Sequence, residues 1–65
     1  MPKYPEITVS LTGVNGNAFS VIAACSREAR KSGLPGSKIE AFKKEAMSGD
    51  YDHLLQTCFK YFDIS

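Results

Sequence analysis

The chain has no tryptophan, one histidine, and two cysteines far apart with no Cys-x-x-Cys spacing. Those shortages exclude the spaced Cys/His ligand sets of zinc modules and the redox pairs of thioredoxin-like sites. No apolar run approaches the roughly 20 residues of a membrane-spanning helix. The opening Met-Pro-Lys-Tyr-Pro-Glu also lacks the apolar stretch of a signal peptide. The chain is therefore expected in the cytoplasm, off the membrane, with Cys25 and Cys58 as free thiols. Neither charge dominates: eight Lys and Arg against seven Asp and Glu leave a net +1. That balance gives no global field directed at nucleic acid or at an anionic membrane.

What is present is ordinary for a globular domain, with 43% hydrophobic and 23% charged residues in 65 positions. There is room for one domain, and a chain of this size buries only about 60% of the surface its unfolded form exposes. Disorder is excluded by composition. The stability margin is thin.

Pro2 and Pro5 mark an extended lead-in, after which Glu6 to Thr12 alternates polar and apolar residues. Ile7, Val9 and Leu11 share one face of a half-buried strand. Gly13-Val14-Asn15-Gly16 then breaks the pattern. Asn-Gly is a hairpin signal, but the following residues carry a helical period instead. Ala18, Val21, Ile22, Cys25 and Ala29 predict a helix over 18–32, capped by Asn17 and ended by Gly33-Leu34-Pro35 with a Schellman contact through Leu34. Ser37-Lys38-Ile39-Glu40 matches a capping box, which starts a second helix there, ending before Ser48-Gly49. Asp50 caps a third helix, whose stripe is Tyr51, Leu54, Leu55, Cys58 and Phe62. The expected fold class is α+β: one N-terminal strand and three short helices. The tail Phe62 to Ser65 is available as a short strand pairing with the first.

Few groups here are candidates for chemistry. The loop Gly13, Asn15, Gly16 and Asn17 lies between strand and helix, where glycines and free N–H groups can receive an anion. It lacks a third glycine and a Lys-Ser/Thr pair, so a tight turn with an N-cap explains it as well. Asp50, Asp52 and His53 are the one acid–base cluster, but capping and the helix dipole already account for both carboxylates. Cys25 and Cys58 fall in apolar stripes, the setting of inert thiols. No catalytic residue, metal site or cofactor is expected. Arg27, Arg30, Lys31, Lys38, Lys43 and Lys44 outnumber Glu28 and Glu40 across the first two helices. With the Gly-containing turn they form a candidate helix-turn-helix-like face for nucleic acid.

Aromatic residues are plentiful, and Phe19, Phe59 and Tyr61 lie off the main stripes. With Ile7 and Val9 of the strand they are the candidate interface residues. A strand of this length needs a partner for its edge, either the tail or the same strand of a second molecule. A homodimer or another protein is thus the expected partner, with nucleic acid the alternative.

The words Gly-Val-Asn-Gly-Asn-Ala-Phe (13 to 19) and Ser-Gly-Asp-Tyr-Asp-His-Leu-Leu-Gln-Thr (48 to 57) resemble a family of short bacterial proteins of phages, prophages and mobile elements. The likeness runs from the strand to the C-terminal aromatic residues. It implies a phage-linked accessory protein and carries over no activity or catalytic residue. Related sequences tend to have an acid where this chain has Asn15, so no carboxylate is required at that position. The combined expectation is a non-enzymatic accessory interaction protein. A small nucleic-acid-binding factor using the basic face is the second expectation.

Overall fold

The chain runs β1 (Tyr4–Val9), α1 (Ala18–Lys31), α2 (Gly36–Ala46), α3 (Tyr51–Tyr61) and β2 (Phe62–Ile64). A computed structural model describes all 65 residues. The expected α+β class holds, and the tail does form the second strand. β2 pairs with β1 in parallel, so all three helices make up the crossover between two adjacent strands. A parallel pair demands a long connection, and the helices supply it.

β1 is displaced from the alternating stretch Glu6–Thr12, and its partner explains why. Tyr4 pairs with Phe62, Thr8 with Asp63 and Val9 with Ile64, with an irregular register between Tyr4 and Thr8. Pro5 sits inside that irregularity, where its missing N–H costs no ladder bond. At the other end β2 offers only three residues, and the pairing runs on through Ser65, whose N–H donates to Val9 O at 2.9 Å and whose carbonyl accepts from Leu11 N–H at 3.4 Å. Leu11 lies past the strand and still packs on the core half-buried. The in-and-out alternation of Ile7, Thr8 and Val9 is as expected.

The helices follow their end signals, with one exception. Asn17 Oδ1 accepts from Ser20 N–H at 2.8 Å, capping α1. Its last turn closes as a Schellman motif: Leu34 N–H donates to Ala29 O and Gly33 N–H to Arg30 O, with Gly33 at φ +88. The capping box at Ser37 to Glu40 is not formed. α2 begins at Gly36 behind Pro35, and no side chain caps it. Pro35, at φ −58, already sets the entry, and its carbonyl accepts from Lys38 and Ile39 N–H. Gly36 and Ser37 are exposed, so water satisfies the remaining donors. Asp50 caps α3 by accepting from His53 N–H at 2.9 Å.

One core joins all five elements, built on Ile7, Val9, Ile22, Cys25, Ile39, Phe42, Leu54, Cys58 and Phe62 among others. Its largest buried side chains, Phe42 and Phe62, belong to an aromatic cluster. Phe42 meets Phe62 edge-on at 4.9 Å and Tyr61 at 5.4 Å, while Tyr4 lies 6.1 Å from Phe62. Three of the five candidate interface residues therefore change role. Ile7, Val9 and Tyr61 are buried in this core, Tyr61 because the end of α3 is clamped between α2 and the β1 lead-in. Phe19 and Phe59 remain exposed.

Phe62 is the residue at which α3 becomes β2, and it touches both Phe42 and Tyr4. Phe62→Ala is expected to cost about 3–5 kcal/mol in urea unfolding followed by circular dichroism. The exposed Phe59→Ala should stay within about 0.5 kcal/mol of the parent. Equal losses in the two variants would contradict the assignment of Phe62 to the core.

Candidate functional site

The loop after β1 is occupied with holding itself. Gly13 takes φ +79, open to glycine without strain. Asn15 Oδ1 accepts from Asn17 N–H at 3.2 Å, Asn17 caps α1, and Gly16 O accepts from the Tyr51 hydroxyl. Two of the N–H groups an anion would use are thereby taken by asparagine side chains. Gly13, Asn15, Gly16 and Asn17 form a turn, a cap and a tie to α3.

The Ser48 to Thr57 word forms the corner between α2 and α3. The Glu45 carbonyl, in the last turn of α2, accepts from Ser48 N–H at 3.2 Å, from Ser48 Oγ at 2.7 Å and from His53 Nε2 at 2.8 Å. A carbonyl only accepts, which assigns the ring proton to Nε2. Gly49 is required by closeness: a Cβ there would lie 2.8 Å from His53 Cγ. Asp50 is spent on the cap, and no group of three His, Cys, Asp or Glu side chains is placed to hold a metal ion. The distinctive word is accounted for by helix-end hydrogen bonding.

The side chain of Glu45 continues the same network. Its carboxylate accepts from Lys60 Nζ at 2.8 Å and from the Tyr61 hydroxyl at 2.8 Å, tying α2 to the end of α3. The Lys60 hydrogen bond, and after it the Tyr61 one, hold the Glu45 carboxyl below its ordinary value of 4.5. The same contact, with burial second, holds the Tyr61 phenol above 10.0.

The two thiols meet across the core, Cys25 Sγ donating to Cys58 Sγ at 3.7 Å. That hydrogen bond and burial push the Cys25 thiol up, away from the nucleophilic thiolate. They pin α1 to α3.

What stays open is a trough on the α1 and α2 side. Two clefts, of about 210 and 410 Å³, share Phe19, Ile22 and Met47. The smaller continues onto Ala18, Tyr51 and Leu54; the larger onto Ala23, Ser26, Arg27, Arg30 and Lys43. Phe19 is 78% exposed and Met47 56%. The structure thus gathers three of the six basic candidates, Arg27, Arg30 and Lys43. Lys31, Lys38 and Lys44 line neither cleft. Arg27 and Arg30 form no ion pair, whereas Lys43 is 3.3 Å from Glu40 and Lys31 3.8 Å from Glu28. Of the other exposed aromatics, Tyr51 lines the smaller cleft and Phe59 lies outside the trough.

Met47 and Ser26 are trough residues that sequence patterning passes over, and Tyr51, expected on the apolar stripe of α3, is instead exposed at the trough. Ser26 carried a signal: it stands four after Ile22 and three before Ala29, on the buried stripe of α1. It is 5% exposed, and its hydroxyl has no hydrogen-bond partner.

Glu45 sets an expectation for pH. Its folded-state pKa is depressed, so its contribution is present above about pH 4.5 and lost as pH falls through the folded value. Tyr61 is raised, so its share is present below pH 10.0 and lost as pH rises through its folded pKa. Urea midpoints measured from about pH 7 to pH 3 should fall more for the parent than for Glu45→Gln. Parallel curves would show that the Lys60–Glu45–Tyr61 contact contributes nothing.

No protein-family model, no curated protein and no solved structure matches this chain.

Proposed function

We propose that the chain is a non-enzymatic accessory interaction protein of the phage and prophage kind, which docks on a macromolecule through the trough between α1 and α2. The observation that carries this reading is the exposure of Phe19 and Met47 over two joined clefts. A 65-residue domain has little apolar surface to spare, yet these side chains stand outside a core that closes without them. Exposed apolar residues grouped around a cleft and rimmed by charge are the usual anatomy of an interface. The partner is a second copy or another protein. A nucleic-acid partner is the second reading, favoured by Arg27, Arg30 and Lys43 on the same cleft.

The test places a photo-crosslinking benzophenone side chain at position 19 in the producing cell, with exposed Gln56 as the control position. A discrete covalent adduct from position 19, absent from position 56, is expected. Light scattering of the purified chain then assigns it: a mass that doubles with concentration means a second copy. Salt titration of DNA and RNA binding decides the second reading, since phosphate contacts weaken steeply with salt. A strict monomer that gives no adduct at position 19 would remove the docking reading.

A further inference from the structure

Resting on that docking reading, we infer that the trough accepts an acidic, apolar-anchored helix of a partner protein. The first support is the shape of the α1 face. Phe19, Ile22, Ser26 and Arg30 fall at i, i+3, i+7 and i+11 and all line the larger cleft. At 1.5 Å per residue that stripe is about 16 Å long, which three turns of a docked helix cover. The second is the division of chemistry along it. Phe19, Ile22 and Met47 give an apolar end, whose one carboxylate, Asp50, caps α3, while Arg27, Arg30 and Lys43 give a cationic one. Arg27 and Arg30 are one helical turn apart and have no carboxylate partner in their own chain. Two acids spaced three or four apart on a docked helix meet that pair, and guanidinium groups bind carboxylates in fork geometry.

The third support is independent of charge. The Ser26 hydroxyl is buried in the residues lining this cleft and bonds to nothing. Buried hydroxyls are almost always satisfied, and this one is enclosed, so a turn about the Ser26 χ1 bond is what brings it to a ligand carboxylate or carbonyl in the cleft. A nucleic-acid backbone fits less well. It would use the whole set of six bases, yet Lys31, Lys38 and Lys44 lie off the trough and an apolar floor occupies half of it.

The experiment titrates the intact ¹⁵N-labelled chain with two synthetic helices of about 16 residues that share one leucine stripe. One carries Glu beside the stripe and the other Lys. The Glu peptide is expected to shift the amides of Phe19, Ile22, Ser26, Arg30 and Met47. Its affinity should fall about tenfold in the double variant Arg27→Glu, Arg30→Glu, and the Lys peptide should bind the parent chain about tenfold more weakly than the Glu peptide does. Ser26→Ala should weaken binding several-fold with an unchanged or higher thermal midpoint; a serine with a purely structural role would leave affinity untouched. Equal binding of both peptides, shifts confined to another face, or no binding would overturn the proposal. A position-19 adduct alongside a silent Glu peptide leaves the docking reading standing and removes the acidic helix. Concentration-dependent mass would then name a second copy as the occupant, and salt-sensitive duplex binding a nucleic acid.

Discussion

Three residues at the end of the chain, Phe62 to Ile64, form the ladder that holds β1 and thereby join the two ends of the fold. Every helix lies between the strands they bring together. The pairing is parallel and spans almost the whole sequence, so its loop-closure entropy must be met before the ladder bonds form. What offsets it is the aromatic contact at the same place. Phe62 leaves α3 directly into the core, where it meets Phe42 and Tyr4, and Tyr61 fills the space beside it. The ladder is minimal. The side chains it brings into contact are not.

This closure decides which residues are free for anything else. Ile7, Val9 and Tyr61 are used up by it, and the thiols of Cys25 and Cys58 meet in the gap between α1 and α3. The α2–α3 corner is likewise spent on structure, through the Glu45 carbonyl, Ser48 and His53. The trough is the contrasting case. There an exposed phenylalanine, an exposed methionine, two arginines without ion pairs and a hydroxyl without a partner lie together. None of these helps the isolated domain, and concentrated departures of this sort mark functional surfaces.

Much of the architecture was legible in local patterns because it is made by local physics. Asn17 and Asp50 are caps, Gly33 and Leu34 end α1 as their identities suggest, and the three helical periods place the three helices. The departures are all places where a distant partner decides. Pro5 looks like the end of a lead-in, but the β1 irregularity that tolerates it exists only opposite β2. The Ser37 box loses to Pro35, which starts α2 without a side-chain cap. Phe59 and Tyr61 both sit off the α3 stripe in sequence, yet only packing against Phe42 and Tyr4 separates the buried ring from the exposed one. The sequence names all six bases as one face, but the joining of Arg27 and Arg30 to Lys43, without the other three, needs the α1–α2 packing. Ser26 was hidden by its polarity, since a serine does not count toward an apolar stripe.

The fold depends on the chain closing on itself through β1 and β2, and native-state hydrogen exchange tests that most directly. Lys3 N–H donates to Lys60 O at 2.8 Å on one side of the junction, and Ser65 N–H to Val9 O at 2.9 Å on the other. These amides are predicted to exchange only through global opening, with the same free energy as the α3 amide of Cys58. Exchange at the rate of frayed termini, while Cys58 stays protected, would contradict the account.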